Sequence, residues 1–288
     1  MKKPYTVREL LAISTQYLKD KGCAAARLDA ELLLGHVLQL SRIELYLNLD
    51  RPLTTQEVDA YRECIARRGR RMPVAYITGV KEFYSLDFAV TPAVLIPRPE
   101  TELLVEKVVK LAKARLASGQ QQVHILDVGT GSGAVAVAAA RQDPEFLVTA
   151  VDISSEALEV ARSNAVRHEV DHQMRFVVSD LFSDVSGTFD IICSNPPYLT
   201  KAEMAQLQPE VSFEPAAALD GGQDGLVFYH RIFQESQPHL APSAYVAVEI
   251  GADQARAVAA IAEGCGFSVE ECIQDYGGHD RVVVAKWA

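Results

Sequence analysis

ILDVGTGSGAVAVA, residues 125–138, joins an apolar β-type run to an apolar helical one through glycines at 129, 131 and 133. Glycines let the backbone turn tightly and a ligand come close, and the helix beyond offers free N–H groups. A nucleotide-like ligand is the natural occupant. Asp152 closes the next apolar run, AVDIS, 19 residues after Gly133, about where a doubly wound sheet places a carboxylate to grip ribose hydroxyls. Working outward, VHILDVG, LVTAVDI, MRFVVSD, FDIICSN, AYVAVEIG, FSVEECI and RVVVAKW read as strands. Between them, GAVAVAAARQ, SSEALEVARSNAVRH, GLVFYHRIFQESQ and ADQARAVAAIAEGCG read as helices. Such alternation implies βαβ units, and hence an α/β doubly wound, mostly parallel sheet covered by helices on both faces.

Two cofactors fit the loop. As G-x-G-x-x-A (Gly129, Gly131, Ala134) it matches the dinucleotide fingerprint. As D-x-G-x-G-x-G, beginning at Asp127, it resembles the S-adenosylmethionine loop of the seven-strand methyltransferases. The carboxylate in front separates them physically. Asp127 repels a pyrophosphate, but suits a cofactor that has no phosphate and carries a cationic sulfonium and an amino group. Farther on, Asp180 in VVSDLF closes the third strand; a carboxylate there commonly meets an adenine amino group, with Leu181 or Phe182 against the ring.

The flanking regions divide the chain further. Up to residue 75 apolar positions recur at helical spacings, and Thr54 with Glu57 forms a capping-box pattern, so a helical domain is expected over 1–75. VKEFYSLDFAV alternates in the manner of a hairpin and predicts a β-hairpin linker over 76–95, followed by a catalytic domain over 96–288. With 288 residues, 49% of them hydrophobic, the chain can fill one large or two modest cores. No apolar run reaches the roughly 20 residues needed to span a bilayer, and MKKPYTVRELL becomes charged too early for a signal peptide. A cytoplasmic protein with no membrane partner is expected. The five cysteines are scattered without metal-ligand spacing, so neither a metal site nor a disulfide framework is indicated, and they read as small buried hydrophobes. The net charge of −10 is uneven: residues 1–90 hold 14 Lys and Arg against 11 Asp and Glu, the remainder 14 against 27. That balance argues against a direct, specific nucleic-acid partner. Arg67, Arg68, Arg70 and Arg71 form the one dense basic run, either a solvated helix end or a docking patch.

The strand FDIIC ends in Ser194-Asn195-Pro196-Pro197-Tyr198. By themselves these residues describe a stiff turn, because two prolines cannot continue a ladder. At the carboxyl end of the fourth strand, however, Asn195 faces the same crevice as Gly129. A planar amide or amino nitrogen is a poor nucleophile until its lone pair is aimed at the methyl group and its N–H groups are held. The Asn195 side-chain oxygen and the Pro196 carbonyl can accept those two hydrogens, Pro197 stiffens the acceptors, and Tyr198 offers a flat wall. The motif therefore suits methylation of an NH2 on a planar group, without choosing between an adenine amine and a glutamine amide. Intact Asn195 and Asp152 speak against a non-enzymatic adaptor.

Several separated blocks carry a more specific resemblance: RLDAELLLGHVL (27–38), PVAYITGVKEFYSLDFAV (73–90), IPRPETELLVE (96–106), ILDVGTGSGAVAVA (125–138), SNPPYL (194–199), FEPAAALDGGQDGL (213–226) and GGHDRVVVAK (277–286). Over essentially its whole length the chain resembles the protein-(glutamine-N5) methyltransferases that modify peptide chain release factors. The resemblance implies a seven-strand, Rossmann-like methyltransferase with a small all-helical N-terminal domain that helps dock the release factor. It implies S-adenosylmethionine bound by Asp127, Gly129, Thr130, Gly131, Ser132, Gly133 and Asp152, with Asp180, Leu181 and Asn195 also touching the cofactor. It assigns catalysis to Asn195, Pro196 and Tyr198, which with Pro197 hold the glutamine of a Gly-Gly-Gln loop. Family members often carry an aromatic where Leu181 stands. In IPRPETE, Thr101 reads as a helix cap, and Arg98 and Glu100 are expected on the substrate side of the cleft. A monomer acting on a protein is the expectation, with an adenine-N6 methyltransferase as the alternative. Gly221-Gly222-Gln223 repeats the substrate's tripeptide but reads as a tight glycine turn.

Overall fold

The computed structural model describes residues 4–287, which divide into two compact units. One reaches to Val80 and takes in Gln208–Phe213; the other comprises Lys81–Leu207 and the chain from Glu214 onward.

The first unit contains α1 (Val7–Asp20), α2 (Ala26–Leu38), α3 (Arg42–Leu47), α4 (Thr55–Gly69) and α5 (Val74–Thr78). Capping boxes start three of them, Thr6 with Glu9, Ser41 with Glu44 and Thr54 with Glu57, each satisfying amide groups that a helix end leaves free. Val7, Leu10, Ser14 and Leu18 form the inner stripe of α1, packed with Leu33, Leu34, Leu45 and Tyr61. The basic run is not a uniform solvated end. Arg68 is buried against Asp29 at 2.8 Å, and both Arg68 and Arg71 hold Glu210, at 2.8 and 2.6 Å, while Arg70 is exposed.

The second unit opens with the hairpin β1 (Val80–Phe83) and β2 (Leu86–Ala89). Tyr84 and Ser85 turn it, both in the left-handed region, as the twist of a two-residue hairpin loop requires. Residues 76–78, expected in the hairpin, instead close α5. A 3-10 turn at Pro99–Thr101 leads into α6 (Glu102–Ala117). There follow β3 (Val123–Val128), α7 (Ala134–Ala140), β4 (Phe146–Asp152), α8 (Ser155–Arg167), β5 (Met174–Val178), β6 (Phe189–Ser194) and α9 (Lys201–Met204). The chain ends with α10 (Val227–Glu235), β7 (Leu240–Glu249), α11 (Ala255–Gly264), β8 (Ser268–Gln274) and β9 (Asp280–Lys286).

The larger sheet has seven strands in the order β5-β4-β3-β6-β7-β9-β8. Neighbours from β5 to β7 are parallel, and β9 is antiparallel to both β7 and β8. Every residue of β6 is buried, as expected of a central strand covered on both faces. Alternate residues feed two cores: Ile125 and Ile191 join Val105, Val108 and Phe146, whereas Leu126 and Ile192 join Tyr229, Ile232 and Phe233. The chain leaves β3 towards β5, then returns to β6 on the other side of β3. Asp127 pairs with Cys193 and Val128 with Ser194, so the glycine loop and Asn195 emerge side by side at the reversal of strand order. All five cysteines are free; Cys23 and Cys193 are buried as expected, but Cys272 is exposed. It lies on β8, at the sheet edge, where most positions face solvent. Among the described residues no helix is long and apolar enough to cross a membrane.

Candidate active site

The loop after β3 folds back onto β4. The Gly129 and Thr130 amides both donate to the Val151 carbonyl at 2.8 Å, and the Gly131 amide donates to Asp152 Oδ2 at 2.9 Å. Gly131 has φ of +54°, and a Cβ there would stand in open space, so backbone conformation is what demands glycine. The other Asp152 oxygen accepts from Ser154 N at 3.0 Å; burial raises this carboxyl despite those bonds. Asp127 is buried and accepts from Thr130 Oγ1 at 2.6 Å. Burial pushes its carboxyl up to about 6, against the bonds from Thr130 and the Ala136 amide.

The loop forms one wall of a cavity of about 390 Å³. Of the residues singled out in the sequence, Asp127, Gly129, Thr130, Gly131, Ser132, Asp152, Asp180, Leu181, Asn195, Pro196, Pro197 and Arg98 line it. Gly133, Tyr198 and Glu100 do not. Gly133 lies at the start of α7 and Glu100 is exposed. Tyr198 packs towards the α10 core, and burial pushes its phenol up to about 12. Asp180 does face the cavity but is also bonded to Arg231 at 2.9 Å.

NPPY is held from behind. Ser194 Oγ donates to the Val128 carbonyl at 2.7 Å, and Asn195 Nδ2 donates to Thr101 Oγ1 at 3.1 Å. Gln254 Nε2 donates to the Tyr198 carbonyl at 3.1 Å and to the Gly225 carbonyl at 3.2 Å. The Gly-Gly-Gln stretch is packed on the same backbone. A Cβ at Gly221 would lie 2.7 Å from Tyr198 Cα, and one at Gly225 2.4 Å from Tyr198 O, so close approach excludes side chains at both positions. Arg98 donates to buried Glu214 at 2.5 Å, and the other Glu214 oxygen accepts from Ile96 N at 3.2 Å.

This geometry coincides with what known proteins share. Residues 9–79 match the PrmC N-terminal domain family, and residues 99–242 the methyltransferase small domain family. The release factor glutamine methyltransferase of Geobacter sulfurreducens is 43% identical over 281 residues, covering 97% of this chain and 96% of its own length. The protein of the same name from Chlorobaculum tepidum is 42% identical over 285 residues, with 97% and 96% covered.

The chain belongs to the release factor glutamine methyltransferase family.

Among solved structures, a methyltransferase from Pyrococcus furiosus superimposes with a TM-score of 0.54 at 21% identity, over 77% of this chain and 98% of that one. That likeness bears on the fold.

The cavity fits S-adenosylmethionine better than a dinucleotide. A Cβ at Gly129 or Gly131 would meet no atom within 4 Å, which leaves the loop's rim bare for a ligand. Two carboxylates, Asp127 and Asp152, stand at that rim, and the two arginines of the lining are each already paired, Arg98 with Glu214 and Arg231 with Asp180. A pyrophosphate finds no free cation there, while a sulfonium and an amino group find carboxylates. Sequence reading passed over the groups that hold this constellation: Thr101 as a bonding partner, Glu214, Arg231, Glu249 and Gln254. Glu214 and Gln254 lie within FEPAAALDGGQDGL and EIGADQ; for Glu214 the available signal was a carboxylate between Phe213 and Pro215, and Gln254 had none.

Proposed function

We propose that this chain methylates the side-chain amide nitrogen of the glutamine in the Gly-Gly-Gln loop of a peptide chain release factor. The carrying observation is the placement of Asn195, its Nδ2 committed to Thr101, at the crevice it shares with the glycine loop. S-adenosylmethionine, when bound, supplies an electrophilic methyl group on a cationic sulfur. Gly129–Ser132, Asp127 and Asp152 would hold it at the loop wall, with Asp180 and Leu181 of the same cavity as further contacts. Asn195 Oδ1 and the Pro196 carbonyl would accept the two hydrogens of the glutamine amide and so orient its nitrogen lone pair into the cavity. Pro196 and Pro197 keep both acceptors from swinging away. No strong base is required, since the nitrogen proton becomes acidic once the methyl group is attached. Tyr198 acts as backing for the motif, and the helical unit docks the body of the release factor. Arg98 braces the Ile96–Arg98 wall through Glu214. The enzyme works as a monomer in the cytoplasm and makes no specific nucleic-acid contact.

The test is incubation with isotopically labelled S-adenosylmethionine and a release factor, with duplex DNA and RNA in parallel. Label is expected on the glutamine of the Gly-Gly-Gln peptide. Asn195→Ala is expected to lower turnover at least 100-fold while cofactor affinity stays within about threefold. Label on adenine, or an unchanged rate in Asn195→Ala, overturns the reading.

A further inference from the structure

Asn164 stands on the inner face of α8, where asparagine is a weak helix former and a polar side chain has no water to bond. It is wholly buried. Its Nδ2 donates to the Ser132 carbonyl at 2.8 Å and to the Ala89 carbonyl at 3.0 Å, and its Oδ1 accepts from the Ala89 amide at 2.7 Å. All of these partners are backbone groups, and they lie on two separate stretches of chain. Ser132 belongs to the glycine loop that follows β3, and Ala89 is the last residue of β2.

Both stretches go on to line the cavity. The loop does so at Ser132 itself, and four residues beyond Ala89 the chain does so at Ala93, Val94 and Leu95. Neither Asn164 nor any residue of the hairpin is part of that lining. The helix also meets the loop one turn earlier: a Cβ on Gly133 would lie 3.0 Å from Ala161 Cβ, so Ala161 limits the approach by shape while Asn164 fixes it by bonding. On the other side, β2 is held to the same end of α8 by Arg167, whose Nη1 donates to the Asp87 carbonyl at 3.2 Å, and by His168, whose ring centroid is 5.3 Å from that of Phe88.

Only a carboxamide of this length meets all three backbone groups. An ionised carboxylate accepts from the Ala89 amide but donates to neither carbonyl, a hydroxyl has one hydrogen for two carbonyls, and an apolar side chain serves none of them.

We infer that Asn164 is a positioning residue for cofactor binding, a clasp that sets the spacing between the glycine loop and the wall that follows the hairpin. This rests on the reading of the cavity as the S-adenosylmethionine site. An asparagine that served the helix alone could be satisfied by one neighbouring stretch. Asn164 divides its two hydrogens between two, and each of them becomes a wall of the same cavity. The hairpin is thereby an outer support of a site it does not line, and the ordering of the two walls is complete before a ligand arrives.

The experiment uses the full-length enzyme with S-adenosylhomocysteine as the probe, and measures affinity by calorimetry, amide hydrogen exchange with and without the probe, and the thermal midpoint. Asn164→Asp keeps the acceptor for Ala89 and loses both donated bonds. It is expected to weaken affinity about 10- to 30-fold, an effect on the order of two hydrogen bonds, and to speed exchange of residues 86–90 and 129–133 together when no probe is present. Val283→Ala is the control for lost stability, since Val283 is buried on β9 and lines no part of the cavity. It is expected to lower the midpoint while affinity stays within about twofold. Asn164→Ser gives the same reading should Asn164→Asp fail to fold, and the wild type supplies one that needs no variant: the probe is expected to slow exchange across β2 as well as in the loop. Protection that stops at the loop overturns the inference. So does an affinity loss in Val283→Ala that matches the Asn164 variants at equal midpoint. Wild-type affinity in the Asn164 variants, with affinity lost at least 10-fold in Asp152→Ala, overturns the clasp and leaves the cofactor site standing. Wild-type affinity in Asp152→Ala removes the reading of the cavity itself.

Discussion

Glu249→Gln should change how the stability of the catalytic unit depends on pH. Burial raises the Glu249 carboxyl from its ordinary 4.5 to about 7. The folded protein therefore keeps this proton to a higher pH than the unfolded chain. The stability contributed is fully present below about 4.5 and is lost as pH rises through about 7. At about 1.4 kcal/mol per pH unit, the interval amounts to roughly 3 kcal/mol. Glutamine does not titrate, so the difference in unfolding free energy between wild type and Glu249→Gln should shift by about that amount between pH 4.5 and 8. Asp127 and Asp152 are raised as well, but they are present in both proteins and cancel in the difference. Trp287, the one tryptophan of the chain, packs on Phe267 with ring centroids 4.9 Å apart, so its fluorescence during urea unfolding reports on this unit alone. Carboxyl carbon NMR supplies the independent check: the resonance missing from Glu249→Gln should titrate near 7. A difference that is flat with pH, or a resonance that titrates near 4.5, refutes the account of Glu249 as a buried and poorly compensated acid.

Gln254→Ala should act on the same motif from the other side. It leaves the Tyr198 and Gly225 carbonyls and the Gly251 amide without this partner, while the Tyr229 hydroxyl keeps the Glu249 carbonyl, at a cost of about 2–4 kcal/mol, and steady-state kinetics should show kcat falling more than KM rises. In the helical unit, Glu210→Gln removes a carboxylate that burial would raise but that Arg71 and Arg68 hold down at about 2. Its stability is present above about 4.5 and lost as pH falls through about 2, so thermal unfolding should show the variant losing about 2–3 kcal/mol at pH 7 and converging with wild type in strong acid.

How much of this was legible along the chain depended on how far each interaction reaches. The path from β3 through the glycines into α7, and Asp152 at the end of β4, are local patterns, and the structure places them as read. Asn195 could be set beside Gly129 because strand order in a doubly wound sheet is a general rule. The second layer obeys no such rule. Thr101 meets Asn195 across 94 residues and Ile96 meets Glu214 across 118, pairings that only the closed fold creates. Thr101 looked like a cap because threonine before a helix usually is one, yet a longer-range partner claims its hydroxyl. The arginine run looked solvated for a similar reason: Glu210 lies 142 residues beyond Arg68, so no local pattern announces the pairing. Asp180 was read as a carboxylate for an adenine amine or as a plain strand end, and its bond to Arg231, 51 residues on, had no local signal.

Those long-range contacts bear on the proposed transfer, which calls on no strong base. An amide nitrogen is made reactive by holding its hydrogens in place, so the groups that accept them must not relax as the methyl group approaches. Proline rings stiffen Pro196 and Pro197 internally but leave the motif free to move as a whole. The structure ties it down at three points: Ser194 to the end of β3, Asn195 to Thr101, and the Tyr198 carbonyl to Gln254. Each tie reaches a different element, so no single displacement loosens them together. An acceptor tied from three directions stays in place as the methyl group approaches, which is the condition an amide nucleophile sets.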